Sequence, residues 1–74
     1  MSFTVKVQVG EHLFRLPPQT HTIRQVRGEL AERFPSNATP FVFYYQGRMI
    51  TNLEEIITEA RLIGKASLKI EARP

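Results

Sequence analysis

The sequence predicts an α+β domain in which a sheet with one apolar face lies against a single long helix. Three observations predict it. Apolar and polar residues alternate near both ends of the chain, an apolar stripe at helical spacing follows a capping signal at Thr22, and clusters of turn residues cut the chain into short elements. A one-faced sheet and a one-striped helix can bury each other as two packed layers.

Each element follows from its own residues. Phe3, Val5, Val7 and Val9 alternate with Thr4, Lys6 and Gln8, the period-two pattern of a half-buried strand. Gly10-Glu11-His12 reads as a turn, and Leu13 to Leu16 follows before Pro17-Pro18, so residues 3–16 form a β-hairpin. Thr22 and Gln25 have capping-box spacing, and Ile23, Val26, Leu30 and Phe34 recur at three and four residues, which predicts a helix over about 22–34. Pro35 ends it, because the residue before a proline avoids helical angles. Gly28 in mid-helix reads as tolerated strain of about 1 kcal/mol rather than as a site of close backbone approach.

After the loop Pro35 to Pro40, Phe41 to Tyr45 predicts a third strand, Gln46-Gly47 a turn, and Arg48 to Ile50 a short fourth strand. Asn52 and Glu55 repeat the capping logic ahead of Leu53, Ile56 and Ile57, predicting a short helical turn over about 53–58. Gly64-Lys65 closes it. Leu68, Ile70 and Ala72 then alternate with Ser67, Lys69 and Glu71 as the last strand. The expected whole is one domain over 1–74, a mixed sheet of four to five strands on one long helix plus that helical turn.

Composition narrows the function. The 74 residues contain no cysteine, which excludes disulfides and thiolate chemistry and favours a reducing compartment, cytoplasmic or nuclear. The longest apolar run is far short of a membrane span. Asn37-Ala38-Thr39 fits a glycosylation pattern, but Pro40 follows it and no signal-peptide core precedes it, so it reads as loop. The ten basic residues, seven of them arginine, exceed the seven glutamates by three, which favours acidic partners. No basic run interleaved with stacking aromatics points to nucleic acid. Catalysis would need a nucleophile with a base, a metal or a phosphate loop. Aspartate is absent, and His12 and His21 stand in expected turns without ligand spacing, so neither an enzyme nor a cofactor or metal site is expected.

The order of these elements, together with Thr22, Ile23, Val26 and Leu30, Gly47 in "FYYQGRMI" and "LKI" near the carboxyl end, resembles ubiquitin and the ubiquitin-like β-grasp domains over essentially the whole chain. Residues 10–18 fit least well. A gapless match would turn Leu13 and Arg15 inward, whereas the alternation requires Phe14 and Leu16 there, a conflict that a one-residue difference in the first turn resolves.

The resemblance implies a protein-binding module. Modifiers of that family end in paired glycines; this chain ends Glu71-Ala72-Arg73-Pro74, and Arg27, Arg33 and Arg48 stand at three of the family's lysine positions. A non-conjugated domain is therefore expected, the amino-terminal part of a larger protein that docks onto ubiquitin-pathway receptors, the proteasome or chaperone complexes as an adaptor. The family's binding surface is an apolar patch on the open sheet face, centred on an isoleucine whose place here is taken by Tyr44.

Alternation puts Lys6, Val42, Tyr44, Lys69 and Glu71 on that face. With Arg48 they form the expected partner-binding set, an aromatic spot ringed by cations, suited to an acidic amphipathic helix. Two alternatives remain at this point. One is a Ras-binding-type module, or one similar to the small ubiquitin-like modifiers, that adds its second strand to a partner's sheet edge with help from Arg15, Arg24 and Arg27. The other is a ubiquitin-like modifier whose tail is missing. A monomer is expected.

Overall fold

A computed structural model of the chain describes residues 3–35 and 41–74. The sequon and most of the loop expected before the third strand, Ser36 to Pro40, lie outside the described residues. Seven elements follow in order: β1 Thr4–Val9, β2 His12–Arg15, α1 Ile23–Arg33, β3 Val42–Tyr45, β4 Arg48–Met49, α2 Leu53–Leu62 and β5 Ser67–Arg73. They build an α+β architecture, one mixed five-stranded sheet of order β2-β1-β5-β3-β4 with two helices. β1 and β5 run parallel at its centre; the other pairings are antiparallel.

The first hairpin has a two-residue loop, Gly10-Glu11, in which only the glycine has positive φ. Such a loop pairs Val9 with His12 and so Val7 with Phe14, which sends Phe14 to the core side. Leu16 is buried, while Leu13 is 54% exposed and Arg15 is exposed, the assignment that the alternation of the sequence required. His12 opens β2 instead of lying in the turn, its ring stacked 6.0 Å from Phe14.

α1 begins as its sequence dictates. The Gln25 amide donates to Thr22 Oγ1 at 3.1 Å, and the Gln25 side-chain oxygen accepts from the Thr22 and His21 amides at 3.1 and 2.7 Å, so the capping box is formed in full. Val26 and Leu30 are fully buried, and Ile23 and Phe34 pack at the margin of the core. A Cβ built on Gly28 meets nothing within 4 Å, so no backbone approaches there.

The second helix departs from expectation: α2 is ten residues long rather than a single turn. Asn52 Oδ1 accepts from the Glu55 amide at 3.2 Å, and Glu54 and Glu55 in the first turn favour the helix dipole. At the far end Gly64 has φ +82°. The Lys65 amide donates to the Ala60 carbonyl at 2.9 Å and the Gly64 amide to that of Arg61 at 3.0 Å, the paired bonds of a Schellman cap. The core-facing positions of α2 are Leu53, Ile57 and Ala60.

One hydrophobic cluster holds the layers together: Val5 and Val7 of β1, Leu68, Ile70 and Ala72 of β5, Phe41 and Phe43 at β3, Leu16, Val26 and Leu30 of α1, and Leu53 and Ile57 of α2. Each large member contributes about 1.5 to 3 kcal/mol by leaving water.

Candidate interaction surface

Because side chains alternate across a strand, the residues between the core positions share the other face of the sheet, which neither helix covers. The register arranges them in rows. Arg15, Lys6 and Lys69 are successive partners across β2, β1 and β5, three cations side by side. The next row crosses all five strands as Leu13, Gln8, Glu71, Tyr44 and Met49. A third pairs Arg73 with Val42.

Tyr44 and Val42 are half-buried, and neither belongs to the core cluster or to the side chains packed on it. The guanidinium carbon of Arg73 stands 4.5 Å from the centroid of the Tyr44 ring, a cation–π contact. Arg73 also donates to Glu71 Oε2 from Nε at 3.2 Å and from Nη2 at 2.9 Å. Tyr44, Glu71 and Arg73 therefore form one connected group beside the row of cations Arg15, Lys6 and Lys69.

Four of the five residues expected around Tyr44 lie on its face: Lys6, Val42, Lys69 and Glu71 share its parity. Arg48 does not. The two-residue turn Gln46-Gly47, both at positive φ, pairs Arg48 with Tyr45 and sets Met49 directly opposite Tyr44. Met49, 64% exposed, extends the apolar spot toward the β4 edge where a cation was expected.

The alternative set is dispersed. Arg15 shares the open face with Lys6, whereas the Arg27 guanidinium lies 5.1 Å from the centroid of Phe43, a core-side residue of β3. β2 and β3 are three strand spacings apart, roughly 14 Å. Arg24 is exposed on α1 and forms none of the cation–π contacts among the described residues.

Two features escaped the sequence reading. Arg73 was one of them, since only the β3–β5 register brings it to Tyr44. The other lies at the end of α2, where Leu62 and Ile63 are 81% and 72% exposed beside a groove of about 380 Å³ lined also by Tyr45, Ile56 and Lys65. A longer reading of the helix would have found them, for Leu62 falls about 180° around the axis from Leu53. Neither α1 nor α2 is long and apolar enough to cross a membrane. No known family model matches the chain, and no curated protein matches it.

Proposed function

We propose that this chain is a ubiquitin-like β-grasp module that works by holding another protein and uses the open sheet face around Tyr44. The mixed sheet packed on α1 is compatible with that fold. The observation that carries the reading is the row Tyr44–Met49 with Val42 beside it, apolar side chains outside the domain's own core and flanked by the cations Lys6, Lys69 and Arg73. An aromatic ring gives a large, stiff contact, and cations around it steer and select acidic partners. The fitting partner is an amphipathic helix with small apolar residues flanked by glutamates, as a receptor of the ubiquitin, proteasome or chaperone systems of cytosol and nucleus could present.

Titrating such a peptide into labelled protein tests the reading. Tyr44→Ala is expected to weaken binding by about tenfold or more, the loss of a hot-spot residue, while costing no more than about 1 kcal/mol of stability, since the ring lies outside the core. Equal affinity in the folded variant would remove the basis for this surface.

A second reading, edge-strand addition, draws on β2 being an outer strand. The Leu16 amide donates to the Val5 carbonyl at 2.8 Å, so the ladder alternation directs the backbone groups of Leu13 and Arg15 away from β1. Capture by an activated small GTPase at low and moderate salt, lost on Arg15→Glu, distinguishes this mode.

A further inference from the structure

The face of the Tyr44 ring is already occupied by the chain's own Arg73, which changes what the surface presents to a visitor. A cation–π contact uses the flat face of a guanidinium and leaves its N–H edges free. Of those edges, Glu71 engages one, through a single carboxylate oxygen that accepts from Nε and Nη2. The Nη1 side of the fork makes no hydrogen bond among the described residues, and the side chain is 58% exposed. Arg73 is thus held from two directions, by a ring beneath it and by an anion along one edge, with donors still directed outward.

We propose that Arg73, stacked on Tyr44 and oriented by Glu71, is the group that reads a carboxylate side chain of the protein partner. The inference rests on the interaction surface proposed above and specifies its chemistry. Tyr44 acts mainly as the platform for a guanidinium, and Glu71 as a positioning residue that fixes the fork. The open edge suits a carboxylate because two parallel N–H donors match its two oxygens, and the arginine has lost little further freedom by the time the partner arrives. The row Arg15, Lys6 and Lys69 adds attraction at longer range, but an ammonium lacks both the planar stack and the fork. Arginine is therefore expected to be irreplaceable by lysine at position 73, although the charge would be kept.

The test is a titration with a helical peptide of alanine and leucine flanked by glutamates, and with its twin carrying glutamine in place of every glutamate. Arg73→Lys should lower affinity for the glutamate peptide about tenfold, while Lys69→Arg leaves it within about twofold. Tyr44→Phe, which keeps the ring face, should bind as the parent does. In a Tyr44→Leu background, Arg73→Lys should have little additional effect, since the platform is gone. Melting temperatures of all variants guard against misfolding. If the glutamate peptide binds Arg73→Lys as well as the parent, or the glutamine twin binds equally well, the carboxylate reader is refuted; a loss on Tyr44→Ala in that case leaves the surface itself standing. Failure of the parent to bind either peptide would overturn both.

Discussion

The two helices differ in what they bury and in what they leave outside. α1 presents a narrow stripe of large side chains, Ile23, Val26, Leu30 and Phe34, to the sheet, and its remaining surface is polar apart from small residues. α2 buries Leu53, Ile57 and little Ala60, while its last residue Leu62 and its cap Ile63 stand in solvent. Both helices bury a stripe and start from a side-chain cap, Thr22 with Gln25 in α1 and Asn52 in α2, but only α2 carries glutamates in its first turn and closes on a positive-φ glycine, Gly64. Two helices of nearly equal length therefore differ chiefly in how they end and in what their outer faces expose.

That contrast can be broken most forcefully in α1. Leu30→Ala removes a fully buried side chain and should cost about 3 kcal/mol, a large part of the few kcal/mol expected for a domain of this size, read as a fall in the denaturant midpoint. The glycines sharpen the contrast with effects of opposite sign. Gly64→Ala forces a side chain into the left-handed region and should destabilise by about 1 kcal/mol. Gly28→Ala, in an open helical position, should stabilise by a similar amount. The smallest effect is expected from Leu62→Lys. Less than about 0.5 kcal/mol should change, since the side chain is exposed and has little packing to lose.

The legibility of each element followed the size of its signal. β1, α1 and β5 could be read because large apolar residues mark their periods, and the tight hairpin loop could be anticipated from the need to bury Phe14 and Leu16. The sequence predicts too short an α2 because Ala60 is a weak apolar marker and Leu62 points against the stripe. The error at Arg48 had a different origin. The Gln46-Gly47 turn was recognised, but which residue opposes Tyr44 depends on a loop of two residues closing on itself, and one step of register separates Arg48 from Met49. Arg73 could not be assigned from alternation alone, since alternation gives a face and not a neighbour.

By itself the sequence determined which side of β1, β2 and β5 meets the core, where α1 starts and stops, and the positive charge of the chain, because these depend on the order of side chains along a local backbone. Tertiary structure alone decided that Arg73 lies over Tyr44, that Met49 completes the row, and that Arg15 and Arg27 stand apart. The physical reason is that pairing of strands distant in the sequence, and the reach of long side chains across them, selects neighbours that no local pattern encodes.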